Sequence, residues 1–413
     1  MDLKNIIDKK SDYADYMLDE ITHICKDMDK RDPGSPGEKQ ACEYMADVLK
    51  KDCGCERVDV ESFKENPGSF FGWIYFTITF VLAAIVLFFF CPIVSAILIV
   101  AGLTIVLLQF GFYKKCVDRF FPEKTGHNVT AVKKCSGEVK RRIFFNGHPD
   151  AAWEWPVNYA LGGVGFEGHA VICGIGAVYY LVISIISTVK YGAFGMISHD
   201  VTLFKMALWG LIFVPFLIGL YWMWNKNRIV DGANDNLSGC YMGIAVLKAL
   251  HDQGITLENT EVGVILSGSE EAGLRGCKSW AKNHYDEYVN SGVETVILCV
   301  DTLTDREYLR VYNKDMTGTV KNNQQFSQLV MDASKDAGHD DIELSSVFFG
   351  SSDAAAFSQA GITATCLAAM DPRPADYYHN RRDTADRLVP ETIKTGFDVI
   401  ISTILNFDEK GLN

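Results

Sequence analysis

What the chain lacks narrows it first. Its twelve cysteines are scattered without a CxxC pair or a regular spacing, and the closest two, Cys53 and Cys55, are too tight for an ordinary disulfide. Free thiols in a reducing compartment are therefore expected rather than a zinc ribbon. Basic charge is in deficit, 39 Lys+Arg against 52 Asp+Glu for a net charge of −13. No basic face large enough to gather phosphates is visible, which argues against a nucleic-acid partner. The N-terminal stretch from Met1 to Lys30 has no apolar core followed by a small-residue cleavage site. It reads as a charged amphipathic helix, so a signal peptide is not expected. Internal repeats and low-complexity segments are missing too.

Charge itself is missing from Asn66 to Tyr113. That run is too long for one membrane span and suits two helices of about 20 residues each. Cys91-Pro92 falls where a tight turn would, so the sequence predicts helices near 70–90 and 93–113. A second pair, 170–189 and 206–225, is equally free of charge and is joined by a loop holding His199 and Asp200. Buried core helices are the competing reading, but they rarely run so long without a polar face. The expected organisation is 1–65, the first part of a catalytic domain, then 66–113, a first transmembrane hairpin. The domain continues over 114–169, a second hairpin spans 170–225, and 226–413 completes the domain. Lys50, Lys51, Arg57 and Lys64 precede the first hairpin, and Lys114, Lys115, Arg119 and Lys124 follow it. By the positive-inside rule both flanks are cytoplasmic. The chain is thus expected to be a multi-pass protein of the cell membrane, with the lipid bilayer as a partner and its catalytic domain on the cytoplasmic side.

The polar segments alternate between strand and helix patterns. Strands are expected at 141–147, 261–268, 294–300 and 362–368, with helices such as 238–254 and 321–338 between them. Such alternation predicts an α/β fold with a mostly parallel central sheet and helices on both faces. Chemistry-bearing residues follow each strand: His148 and Asp150, then Asp235 before the 238 helix, Glu270 and Glu271, Asp301, and His379. Ligands bind outside the carboxyl ends of strands in open α/β sheets, so these residues are expected to converge. Two imidazoles with several carboxylates suit zinc or another borderline divalent metal. Taken singly, each acid is an ordinary turn former, helix cap or surface charge.

In order, His148-x-Asp150, GANDNLSG (232–239), SEEAGLRG (269–276), Asp301 at a strand end and YYHNRRDT (377–384) resemble the M28 family of di-zinc peptidases. The segments RDPGSPGEKQACEYMADVLKK (31–51) and HNVTAVKK (127–134) extend the likeness over nearly all of the polar chain. The resemblance implies a zinc-exopeptidase fold with two Zn2+ ions, here combined with four transmembrane helices. Asp235 would bridge the ions, His148 and Asp301 completing one site, Glu271 and His379 the other. Glu270 would be the general base, and Asp150 would orient His148 through its second ring nitrogen. Tyr377 and Tyr378 either pack or donate to an oxyanion. Arg275 and the pair Arg381–Arg382 are either surface charges or holders of a substrate carboxylate. The GSSD stretch (350–353) resembles a family loop near the site, but Ala354 stands where a His is common, a departure that touches substrate contacts.

The inserted hairpins are the largest departure from that pattern, and they place the catalytic domain against the bilayer. Trp153, Trp155, Trp222 and Trp224 suit an interfacial aromatic belt, while Trp153 and Trp155 are also candidate substrate-lining residues. The segment 151–169 becomes a candidate wall of the active site. The expected function is a membrane-embedded zinc exopeptidase of aminopeptidase type, with a peptide as substrate. A glutaminyl-cyclase-like enzyme and a non-catalytic membrane scaffold are the alternatives. Oligomeric state cannot be read from the sequence.

Overall fold

The computed structural model describes residues 4–194, 200–373 and 375–412. Among them, nine strands form one sheet: β1 (Arg57–Glu65), β2 (Lys124–Lys133), β3 (Arg141–Gly147), β4 (Thr260–Ser267), β5 (Glu294–Leu303), β6 (Leu309–Asp315), β7 (Val320–Lys321), β8 (Glu343–Ser346) and β9 (Thr363–Ala369). Their order is β1-β2-β4-β3-β5-β9-β6-β8, with β7 beside β6. The four central strands β4, β3, β5 and β9 run parallel, while β1–β2, β2–β4 and β9–β6 are antiparallel. The sequence RRIFFNG shows why the centre is a two-faced layer: buried from Ile143 to Gly147, it sends successive side chains to opposite sides. Phe145 joins the large core formed with α1 (Lys10–Asp27), α2 (Pro36–Lys51), α7 (Ser238–Asp252), α9 (Gln324–Asp336) and α11 (Pro390–Lys410). Phe144 faces the other way, onto Trp280 and Tyr288 of α8 (Arg275–Tyr288). Trp280 in turn meets Phe357 of α10 (Asp353–Gln359) edge-on.

These elements belong to one unit, residues 1–65, 123–154 and 227–413. The second unit holds 66–122 and 155–226. Four of its helices are long and apolar enough to cross a membrane: Ser69–Leu87 (α3), Pro92–Gly111 (α4 and its widened last turn), Pro156–Tyr191 (α5) and Val201–Trp222 (α6, Val201–Gly210, and the short turns after it). Small and hydroxylated residues mark the helix contacts, as is usual where lipid is the solvent. Thr77 Oγ1 donates to Gly102 O at 2.9 Å, and the Ser95 and Ser184 hydroxyls are 2.9 Å apart. Asp200 caps α6 and receives Lys190 Nζ at 2.8 Å, so that lysine is paired rather than merely extended to an interface. His199, in the same loop, lies outside the described residues.

Two boundaries differ from expectation. The compact unit that holds the first hairpin runs on to Pro122, past the apolar stretch that ends near residue 113, and α5 begins at Pro156 rather than near 170. The segment 156–169 carries four glycines and Glu167, a linker-like composition, yet Pro156 at the first helical position is pre-organised for a helix start. Gly162, at φ 68°, breaks the helix once and lets the two pieces follow each other. Of the proposed 151–169 wall, therefore, only 151–154 belongs to the unit that carries the sheet.

Candidate metal centre

Every residue of the centre hangs from the carboxyl edge of a central strand or from the loop leading into α7. His148 follows β3 directly. Asp235 sits in the buried GANDNLSG loop, whose geometry depends on close approach: a Cβ on Gly239 would lie 2.0 Å from Val300 O of β5. That glycine lets the start of α7 press against the sheet and carry Asp235 to the strand ends. Glu270 and Glu271 follow β4, Asp301 lies in β5, and His379 follows β9.

The geometry centres on Asp235. Its Oδ1 is 3.2 Å from His148 Nε2 and its Oδ2 is 3.2 Å from His379 Nε2, so one carboxylate faces both imidazoles. Glu271 Oε1 is also 3.2 Å from His379 Nε2, and Glu270 Oε2 is 3.8 Å from His148 Nε2. Ligand atoms of His148, Asp235 and Asp301 lie within 4.8 Å of one another, as do those of Asp235, Glu271 and His379.

The charges are out of balance. Burial pushes the Glu270 and Asp301 carboxyls well above the usual range, reinforced by neighbouring acids. Burial opposes charge on His148 and His379, but the surrounding carboxylates outweigh it: His148 is held well above its ordinary value and His379 at about 10. Asp235 is pulled low despite burial, by hydrogen bonds from the two imidazoles. All these directions describe a pocket short of positive charge. Glu271 Oε1 and Asp301 Oδ1 are buried yet accept no hydrogen bond, which costs about 1–3 kcal/mol each unless another group takes the lone pairs. The donor set and its orphaned oxygens fit a divalent cation.

A surrounding network fixes the ligands. Asp150 accepts hydrogen bonds from the backbone N–H groups of Glu270 (3.1 Å) and Glu271 (3.0 Å). His148 Nδ1 lies 3.2 Å from Asp150 O and 3.5 Å from its carboxylate. The Asp150 side chain thus anchors the glutamate pair more closely than it does the imidazole. Asp383 accepts from the N–H groups of Asn234 (2.8 Å) and Asp235 (3.1 Å), with its carboxyl pushed up to about 7 by burial and by Asp235. Arg31, almost wholly buried, donates to Pro149 O at 2.8 Å and to the carbonyls of Asp231 and Gly232 at 2.5 and 3.2 Å. It ties the His148 loop to the Asp235 loop. The Ser269 hydroxyl, just before Glu270, lies within hydrogen-bond distance of both Glu38 (2.6 Å) and Glu65 (2.5 Å). Arg31, Glu38 and Asp383 were not singled out from sequence; their only signal is membership of the RDPGSPGE and YYHNRRDT segments.

A cavity of 290 Å³ opens beside the centre, lined by Asp235, Glu270, Asp301 and His379 on one side. Tyr378 lines it, its ring centroid 3.9 Å from that of His379. The other expected substrate contacts are not among its lining residues. Tyr377 is buried with its hydroxyl donating to Asp305 at 2.7 Å, and Arg275 is buried with Nε on Ala272 O. Trp153 is buried in the strand-bearing unit, and Trp155 stacks on Phe166 within the apolar unit. Arg381 is engaged by both oxygens of Glu154, at 2.6 and 2.9 Å. Large aromatics and cations near a site look alike in sequence, whether they pack or bind.

Residues 221–404 match the model of Peptidase family M28. That span holds Asp235, Glu270, Glu271, Asp301 and His379; His148 and Asp150 lie outside it and join the centre through the fold. Comparison with curated proteins gives no match. Among solved structures, the chain is similar to BSAP, a zinc aminopeptidase from Bacillus subtilis, with TM-score 0.56 at 13% identity over 95% of this chain and 94% of that one. It is similar to the LapA aminopeptidase of Legionella pneumophila, with TM-score 0.55 at 10% identity over 99% and 76%. An Acidobacteriales bacterium glutaminyl cyclase gives TM-score 0.56 at 12% identity over 97% and 96%. At such identities these structures speak to the fold alone. The family match gives the class, a metallopeptidase-type hydrolase. More particularly, the likeness to Peptidase family M28 lies in residues 221–404, somewhat under half of the chain.

Proposed function

We propose that the protein is a membrane-embedded, zinc-dependent exopeptidase of aminopeptidase type that hydrolyses peptides at their N-termini. The observation that carries this is the placement of Asp235, one carboxylate facing two imidazoles at 3.2 Å each, with Glu270 3.8 Å from one of them, His148. His148, Asp301 and Asp235 would hold one Zn2+, and Asp235, Glu271 and His379 a second. Bound zinc supplies Lewis acidity, making water acidic enough to ionise near neutral pH and polarising a carbonyl. Glu270, not assigned as a ligand, takes a proton from the attacking water as its oxygen bonds to the scissile carbonyl carbon. The same proton passes to the leaving nitrogen as the C–N bond breaks. Asp150 holds the Glu270–Glu271 backbone, so the base and its ligand neighbour move as one piece. The acids lining the cavity suit a substrate ammonium, which favours a free N-terminus.

The full acid set is what supports hydrolysis over cyclisation, since the fold likeness reaches both kinds of enzyme. The four apolar helices are assigned to the bilayer, and the lysines and arginines flanking the first pair support a cytoplasmic catalytic unit. Detergent-purified protein should hydrolyse aminoacyl or peptide substrates, and Glu270→Gln should lower the rate at least about 100-fold while leaving zinc content unchanged. Full activity in that variant would remove Glu270 from its role. Labelling of Cys135 by an impermeant thiol reagent in intact cells would contradict the cytoplasmic assignment.

A further inference from the structure

The far side of the cavity carries a cation that no step above uses. Arg310 is the sole lysine or arginine among the described residues that line the cavity. Its position follows from strand register. Ala368 of β9 pairs with Asp301 of β5 on one side and with Arg310 of β6 on the other. Directly paired residues share a face of the sheet, so Asp301, Ala368 and Arg310 form one row across the cavity floor. Two strand spacings separate the ends of that row, about 10 Å between Cα atoms. Ala368 in the middle, with Cys366 next to it on the same face, leaves the floor low between acid and guanidinium.

Arg310 is not consumed by the protein. One of its five N–H groups donates to Leu309 O at 2.8 Å, and its ion pair with Glu343 is loose, 3.9 Å to a carboxylate that is 74% exposed. Tyr308 and Tyr312 flank it in the alternating positions of the same strand region, and Ser345, Ser346, Ser351 and Ser352 add hydroxyls to the lining. A site otherwise rich in acids thus ends in a planar donor fork suited to a carboxylate.

Resting on the peptidase reading of the centre, we propose that Arg310 determines specificity by binding a substrate carboxylate about 4–5 Å from the scissile carbonyl carbon. Two chemistries supply one at that distance: the side chain of an N-terminal aspartate or glutamate, or the free C-terminus of a dipeptide. Substrates are therefore short or acidic peptides. Glu343, beside Arg310 on the neighbouring strand β8, weakens the attraction without cancelling it.

The test compares glutamyl- with glutaminyl-aminomethylcoumarin, and Ala-Ala with Ala-Ala-amide, on the detergent-purified full chain and its Arg310→Met and Arg310→Lys variants. Calorimetric binding of glutamate and glutamine to the same proteins is measured alongside. A preference in kcat/KM of at least about tenfold for the carboxylate member of either pair is expected. It should vanish in Arg310→Met and survive in part in Arg310→Lys. The first pair reports a side-chain carboxylate, the second a terminal one. Hydrolysis of all four without preference, unchanged by Arg310→Met, overturns the proposal and leaves the peptidase reading standing. No hydrolysis, with glutamate binding at least about tenfold tighter than glutamine in an Arg310-dependent way, upholds the subsite and removes the peptidase reading. Neither hydrolysis nor selective binding removes both.

Discussion

The two units of this chain invert each other's surfaces. In the strand-bearing unit, charged and polar side chains are buried in number around the metal centre, among them Arg31, Glu38, Asp150, Asp235, Glu271 and Asp383. In the apolar unit, large hydrophobics stand exposed along every long helix, including Val86, Val100, Val171, Val182 and Trp209. Burial of polar groups is costly unless each is paired, and the first unit meets that cost with the backbone and carboxylate network around its ligands. Exposure of apolar groups is unfavourable in water and favourable in hydrocarbon. The second unit therefore has the surface that the proposed bilayer setting calls for, and some of its polar atoms pair internally: Ser69 Oγ donates to Asp118 at 2.7 Å, and Gln109 Nε2 reaches both at 3.2 Å.

Substitutions should respond oppositely in the two units. The largest expected effect is in the strand-bearing unit. Arg31→Met removes the donors for three loop carbonyls and should cost about 4 kcal/mol, read as a fall in denaturant midpoint together with loss of zinc. Stability unchanged by that substitution would mean the ligand loops hold themselves. In the apolar unit, Val100→Asp on the exposed face of α4 should cost about 3 kcal/mol of membrane insertion, measured with a translocon-insertion reporter. Unimpaired insertion would show that this face does not meet lipid.

The third effect depends on pH. Burial raises the Glu65 carboxyl to about 7, from an ordinary value of 4.5. A folded-state pKa above the unfolded one means that the native state favours the protonated form. Its contribution is full below about pH 4.5 and is lost as pH rises toward 7, a swing of up to about 3 kcal/mol. Relative to wild type, Glu65→Gln should gain melting temperature between pH 5 and 8; a constant offset across that range would exclude a titrating Glu65. The smallest effect is the control: Val60→Asp, on exposed edge strand β1, should stay within about 1 kcal/mol. A large loss there would blur the contrast drawn with Val100.

The parts legible from sequence were those with a local pattern. β3 was expected at 141–147 and occupies Arg141–Gly147, because RRIFFNG needs no partner to read as a buried strand. The four charge-free runs were equally plain. β6 (LRVYNKD) and β8 (ELSS) escaped notice because they carry too many polar residues. With them went Arg310 and most of the cavity wall. The proposed ligands were visible because each lies at a strand end or just before a helix, in a recognisable segment. Their supports were not: Arg31 meets Gly232 and Asp383 meets Asn234 across stretches of chain that no local periodicity connects. Arg275 and Tyr377 failed as cavity contacts for the same reason, since only the fold tells a buried packing group from a lining one.

The central claim is that Asp235 stands between two metal ions. Zinc content of the detergent-purified full chain, measured by plasma mass spectrometry, tests it most directly. The account predicts about two zinc ions per chain in wild type and fewer than one in Asp235→Asn. Two ions retained in the variant, or none in wild type, would contradict it.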